Sequence, residues 1–357
     1  MPQKISRAAI FEALDNTVIH GSGSSLMTMK AVKAIDLDEG RVQISIRLQE
    51  TYKEQETAIQ EQLRTTILAI PGVERLDLDF EWEKLPSAIG AEKQNLLPAV
   101  KRVVVVGSGK GGVGKSTIAA NIACVLARKG HRVGLMDADL YGPSIGMMFG
   151  VDAGTGGPQV SSSGAILPLE KYGLKLMSMG FLIDEDQPII WRGPMLNKAL
   201  NQFMTEVEWG DLDVLFIDLP PGTGDIQISL IHSANVSGAI IVSTPQDIAF
   251  LDAKKAIGMF RAVQVPILGV VENMSSFICP NCGFETPIFG RGGVRGAAKS
   301  MNLPFLGEIP IDMQIRTTSD TGTPIAALRP DSPQGRVFSD VAEKIEKALS
   351  LSIVKQL

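Results

Sequence analysis

Cysteine is scarce in this chain, three in 357 residues, and the odd count leaves no closed disulfide framework and suits a reducing compartment. Histidine is equally rare: His20, His131 and His232 fall in unrelated segments, none with metal-ligand spacing. No stretch of about eighteen uncharged apolar residues occurs, which excludes a helical membrane span. Met1 to Lys30 has neither the apolar core of a secretory signal nor an Arg-rich, acid-poor transit composition, so a cytoplasmic protein with no membrane partner is expected. Basic charge is also lacking. With 34 Lys and Arg against 39 Asp and Glu, a net charge of -5 and a pI near 5.4, no nucleic-acid partner is expected. There is no internal repeat, and the one short biased tract is the Gly/Ser-rich loop Gly154 to Gly164, expected to be solvent-exposed.

What is present is an ordinary globular composition, 45% apolar and 20% charged, long enough for two or three domains. Residues 1–84 read as a small α+β domain. It has an amphipathic start from Ile5 to Val18, an alternating strand at Val42 to Leu48, a helix from Glu54 to Ile70 stopped by Pro71-Gly72, and a second alternating strand from Val73 to Trp82. Residues 85–100, with Pro86, Gly90 and Pro98, read as a linker. From 101 to 357 short apolar strands alternate with helical patterns. Strands are expected at Val103–Val106, Val133–Met136, Leu174–Met177, Val214–Ile217, Gly238–Val242, Ile267–Val271 and Phe305–Ile309. Helices are expected at Lys115–Lys129, near Leu196–Val207, at Ile248–Val263 and near Val337–Leu349. Strands this apolar need helices over both faces, so the fold expected is α/β with a mostly parallel sheet.

The most informative segment is Gly107 to Thr117, which follows the first of those strands and opens a helix. Its G-x-x-x-x-G-K-S pattern begins at Gly109 and defines a phosphate-binding loop, hence a P-loop NTPase. Gly109, Lys110, Gly111, Gly112, Val113, Gly114, Lys115, Ser116 and Thr117 are the candidate nucleotide-binding residues. Glycines let backbone N–H groups wrap the phosphates, Lys115 reaches the β and γ phosphates, and the Ser116 hydroxyl suits magnesium. Lys110 is a second cation in the loop, placed to complete the site of a second subunit if it points away from its own.

Carboxylates follow at strand ends, where ligands bind in open α/β sheets. Asp137 and Asp139 end one strand and Asp218 ends another in the Walker B arrangement, with Asp218 expected to bind magnesium through water and Asp137 to sit in the outer shell. Pro220-Pro221-Gly222-Thr223-Gly224-Asp225 joins a stiff diproline to flexible glycines, as a γ-phosphate switch requires. Asp225 could equally cap the next helix. Asn273, after a buried strand, can both donate to and accept from a purine edge.

Cys279-Pro280-Asn281-Cys282 supplies two thiols spaced for one metal centre. Cys124 lies in an apolar helix and reads as a small buried hydrophobe. Four ligands are needed, and a second copy of the chain related by a twofold axis supplies the missing pair, so a homodimer is expected. Ligand chemistry alone leaves an iron-sulfur cluster, a zinc site and a dithiol redox pair open.

The string Lys110 to Lys115 resembles the deviant Walker A of the signature-lysine ATPases, and Ile217 to Asp225 together with the C-P-x-C element resembles their Mrp/ApbC scaffold members. This resemblance implies an ATP-binding and slowly hydrolysing nucleotide-sandwich homodimer. In it Lys110, Lys115 and Asp139 are catalytic, Lys110 acts across the interface, and Asp139 positions the attacking water. It further implies that Asn273 faces adenine beside Pro310. Cys279 and Cys282 would hold a 4Fe-4S cluster between subunits, for transfer to apo iron-sulfur proteins. Residues 1–84 resemble the small iron-sulfur assembly domain often fused ahead of these ATPases. They contain no thiol, which points to partner docking rather than cluster handling. The alternative is a nucleotide-switched partitioning or regulatory ATPase in which zinc staples the dimer.

Overall fold

The computed structural model describes residues 5–17, 19, 25–29, 31–38, 40–83, 95–139, 142–151, 157–181 and 193–351. Residues 85–94 of the expected linker, 154–156 of the Gly/Ser-rich loop, Val18, His20 and the last six residues lie outside these. The chain divides into two compact units, Met1–Glu92 and Lys93–Leu357.

In the first unit, α1 (Arg7–Asp15), β1 (Val32–Asp38), β2 (Arg41–Gln49), α2 (Glu56–Ile67) and β3 (Arg75–Glu83) build a three-stranded sheet in the order β1-β2-β3. β1 and β2 are antiparallel, and β2 and β3 are parallel. Val42, Ile44, Ile46 and Leu48 of β2 are buried with Ile10 and Leu14 of α1 and Ile59, Leu63 and Ile67 of α2. The opposite parity of β2 bears polar pairs to β3: Arg41 with Asp77 at 2.6 Å and Gln43 with Asp79 at 3.1 Å. Alternation thus produces one dry and one charged face. β1 was not anticipated. Its pairing slips between Val32 and Ala34, a bulge that spoils the two-residue period by which a strand is read.

The second unit runs β4 (Val103–Gly107), α3 (Lys115–Arg128), β5 (Val133–Asp137), α4 (Ile145–Met148), β6 (Leu169–Lys171), β7 (Leu174–Ser178), α5 (Gly193–Thr205), β8 (Val214–Asp218) and α6 (Asp225–Ser233). It continues with β9 (Gly238–Ser243), α7 (Asp247–Ala262), β10 (Ile267–Ile278), β11 (Glu285–Thr286), α8 (Gly293–Ser300), β12 (Phe305–Ile311), α9 (Met313–Asp320), α10 (Ile325–Leu328) and α11 (Pro333–Leu349). The sheet order is β11-β10-β9-β4-β8-β5-β7-β6, with β12 also paired to β10. Among the described residues, only β6 and β11 run antiparallel to their neighbours. Val104 and Val106 join a core with α3 and α11, whereas Val103 and Val105 join one with α5, α6 and α7. Both faces are covered, and the mostly parallel sheet follows as the apolar strands required.

Residues 95–100 are not a free linker. Leu97 and Val100 are buried in the second core, and Val100 bridges to Leu212, so the chain has already joined the sheet before β4 begins. The described part of the Gly/Ser-rich tract turns back on itself, with the Ser161 N–H on the Ala165 carbonyl at 2.8 Å.

Candidate functional site

β4 lies between β8 and β9; the crossover through α3 runs from it to β5 on one side, the crossover through α6 runs from β8 to β9 on the other, and a crevice opens at its C-terminal end. The glycine loop fills that crevice. Gly112 and Gly114 have φ of 78° and 82°, left-handed conformations that favour glycine, and Gly114 hands the chain to the first turn of α3. Gly109 is required for another reason: a Cβ there would lie 2.0 Å from the Asp252 backbone carbon of α7. At Gly114 it would lie 2.1 Å from Asn273 Nδ2.

Beneath the loop the charged groups converge. Lys115, 6% exposed, places Nζ 2.6 Å from Asp218 Oδ1 and 3.9 Å from Asp139 Oδ2. Ser116 Oγ donates to Asp218 Oδ2 at 2.5 Å. Asp137 and Asp218 are register partners on β5 and β8, and both are fully buried. Burial, then the neighbouring Asp218 charge, push the Asp137 carboxyl up to about 7. Two buried carboxylates beside one ammonium is an imbalance that a divalent cation corrects, so the donor set fits magnesium.

Asp137 also has a structural task. Its Oδ1 accepts the Asp139 N–H at 3.0 Å, and Oδ2 accepts from the Ser144 and Ile145 N–H groups and Ser178 Oγ at 3.0 to 3.1 Å. It therefore forms the turn that carries Asp139 and opens α4. Lys110 is half-exposed and makes no ion pair among the described residues.

The diproline segment is tied to the loop by the Gly222 N–H on the Ser108 carbonyl at 3.1 Å. Gln227, which sequence reading passed over, donates to the Pro220 and Pro221 carbonyls at 3.2 Å. Asp225 is the first helical residue of α6 and is exposed, and Gly224 takes the cap position, so Asp225 favours the helix dipole without capping it. Asn273 is buried and donates to the Val113 carbonyl at 2.8 Å, holding the phosphate loop itself. Pro310, half-buried, follows Ile309, the β12 register partner of Asn273.

The thiol pair sits apart, on a hairpin. β10 runs past the end of β9, and its last two residues, Phe277 and Ile278, pair with β11. Cys279 and Cys282 occupy the turn, closed by the Gly283 N–H on the Cys279 carbonyl at 2.9 Å. Cys282 is exposed and Cys279 half-exposed. Backbone N–H groups of Cys282 and Asn281 aimed at the Cys279 sulfur hold its thiol below the ordinary value, which favours the thiolate. No cluster of three or more His, Cys, Asp or Glu able to hold a metal occurs among the described residues. Cys124 is fully buried in α3, and burial pushes its thiol up to about 12.

A crevice at the switch of a parallel sheet, lined by a glycine loop and strand-end carboxylates, defines a P-loop NTPase. Comparison with known proteins narrows the class. A profile of the ParA-type NUBPL iron-transfer P-loop NTPases matches residues 99–346, and the chain belongs to that family. A profile of iron-sulfur cluster assembly proteins matches residues 7–77. The chain is 41% identical over 332 residues to an iron-sulfur cluster carrier protein of Deinococcus radiodurans, covering 93% of this chain and 92% of that one. A carrier protein of Aquifex aeolicus is 49% identical over 258 residues, 72% of this chain and 70% of its own length. Among solved structures, a nucleotide-binding protein from Archaeoglobus fulgidus in complex with ADP matches at 39% identity and a TM-score of 0.57, covering 64% of this chain and 91% of that one. The septum site-determining protein MinD of Pyrococcus horikoshii shares the fold, with a TM-score of 0.52, 23% identity, and coverage of 71% of this chain and 99% of that one.

Proposed function

We propose that this chain is a cytoplasmic, homodimeric ATPase that holds a 4Fe-4S cluster between two copies and passes it to apo iron-sulfur proteins. The observation that carries this reading is the thiol pair on the β10–β11 hairpin, one exposed and one half-exposed, in a chain whose relatives are named iron-sulfur cluster carrier proteins. A cluster takes four thiolates, one chain offers two, and a twofold axis supplies the rest. Exposure suits cargo, because acceptor thiols must reach it.

In the nucleotide site, the N–H groups of residues 109–117 receive the phosphates, and Lys115 exchanges Asp218 for the β and γ phosphates. Ser116, and Asp218 through water, would hold Mg2+, with Asp137 behind them, and the ion would supply charge neutralisation at the phosphates. Asp139 orients the attacking water. Lys110, without an ion pair in its own chain among the described residues, reaches the phosphates bound by the second copy. Asn273 and Pro310 flank the base, and hydrolysis is coupled to cluster carriage.

Anaerobic reconstitution followed by iron, sulfide and zinc analysis tests the reading on wild type and on a Cys279→Ala/Cys282→Ala variant. About four irons and four sulfides per dimer, lost in the variant, are expected. Zinc without iron would favour the alternative, a regulatory ATPase stapled by zinc. Unchanged cluster binding in the variant would remove the thiol assignment.

A further inference from the structure

β10 touches both functional sites, and its adjacent residues point to opposite faces of the sheet. Asn273 donates to the Val113 carbonyl at 2.8 Å. Glu272, fully buried, accepts the Gly292 N–H at 3.2 Å and the Val294 N–H at 3.0 Å. Gly292 and Val294 are where the chain returns from the cysteine hairpin into α8. The excursion over residues 274–291 is therefore tied at its start to the phosphate loop and at its return to the neighbouring residue of the same strand.

Between these ties the strand changes partners. Up to Asn273, β10 lies between β9 and β12, through Glu272 opposite Ser243 and Asn273 opposite Ile309. Beyond it β9 has ended, and the register with β12 breaks until Phe277 meets Ile311. Met274 stands at the break with φ of 58°, in the left-handed region that a non-glycine residue rarely adopts. Cys279 lies five residues beyond Met274.

The Val113 carbonyl and the Gly114 N–H belong to one planar peptide unit. An anion drawn to that N–H reorients and polarises the carbonyl that Asn273 holds. We propose that β10 carries the state of the phosphate loop to the thiol pair. Asn273 reads the loop, Met274 is the hinge, and Glu272 is a positioning residue that makes the hairpin move as one piece, so that nucleotide changes the accessibility of Cys279 and Cys282. This rests on the reading above, that nucleotide fills the glycine loop and the thiols hold the cargo.

The test uses the reduced, cluster-free full chain. Iodoacetamide modification of Cys279 and Cys282 is followed by peptide mass spectrometry with and without saturating Mg-ATP, whose binding is measured separately by titration. The buried Cys124, its thiol pushed up to about 12, is an internal unreactive control. Nucleotide is expected to change the rate at the pair by about fivefold or more. Glu272→Gln turns one acceptor into a donor facing an N–H. It is expected to keep ATP binding and lose most of the rate difference. Met274→Gly suits the native φ, slackens the hinge and should also shrink the difference, and it decides the matter if thermal melts show that Glu272→Gln does not fold. Equal rates in wild type with ATP bound, or an undiminished difference in the folded variants, would overturn the coupling and leave the carrier reading standing. Failure to bind ATP, or to take up a cluster on reconstitution, would remove that reading and the coupling with it.

Discussion

Gly109 is a glycine because α7 leaves no room for anything else. A Cβ at 2.0 Å from the Asp252 backbone cannot be relieved by a rotamer change, since the obstacle is main chain. Gly109→Ala should therefore displace the loop, destabilise the protein by about 1–3 kcal/mol and abolish nucleotide binding, as thermal melts and nucleotide titration would reveal. A normal melt with unaltered binding would show that the loop does not need this approach to α7. Gly109 was legible in the sequence as a motif position, but its neighbour was not. The same holds for Asn273, whose partner Val113 is 160 residues away, and for Glu272 and Gln227, which lie outside any motif. The glycine loop, Asp218 and the Cys279/Cys282 pair were legible as candidates because each stands in a short segment whose residue types and spacing mark it without reference to the fold.

Among the elements, the N-terminal ends of three adjacent strands are pinned by one carboxylate. Asp213, preceding β8, accepts from Lys101 Nζ before β4 at 2.9 Å and from the Arg132 backbone N–H before β5 at 2.9 Å, and pairs with the Arg132 guanidinium at 3.1 Å. Burial pushes its carboxyl up, but Arg132 and Lys101 together outweigh burial and hold it well below the usual carboxylate range. A group with a depressed folded value stabilises above its unfolded value of 3.8 and loses that contribution as pH falls through the folded one. Asp213→Asn should then lower stability at neutral pH by about 1 kcal/mol, limited by solvent around the half-exposed Arg132 and Lys101. The gap to wild type should close as the pH drops below 3.8 in urea melts; a gap independent of pH would show that the ion pairs contribute nothing. Most elements were readable because their apolar periods are unbroken, as in β4, β8 and α3. β10 was expected to end at Val271, where the apolar run ends. It continues to Ile278 because β12 and β11 supply partners that its own Glu-Asn-Met-Ser-Ser stretch does not advertise.

For the whole molecule, each candidate nucleotide residue, from Gly109 to Pro310, falls within the unit Lys93–Leu357, which has its own cores on both faces of its sheet. That unit produced alone should bind ATP with the affinity of the full chain in a direct titration. A large loss would mean that the first unit takes part in the site. Local spacing by itself marked a phosphate loop, a strand-end carboxylate and a closely spaced thiol pair, since backbone geometry and donor chemistry act over a few bonds. Which of these groups meet was left to the folded sheet. Asp137 faces Asp218, Asn273 grips the phosphate loop, and β10 reaches from that loop to the thiols only because parallel crossovers fix the strand order. That order is a balance of many weak packing contacts across the whole core, and no short stretch of residues encodes it.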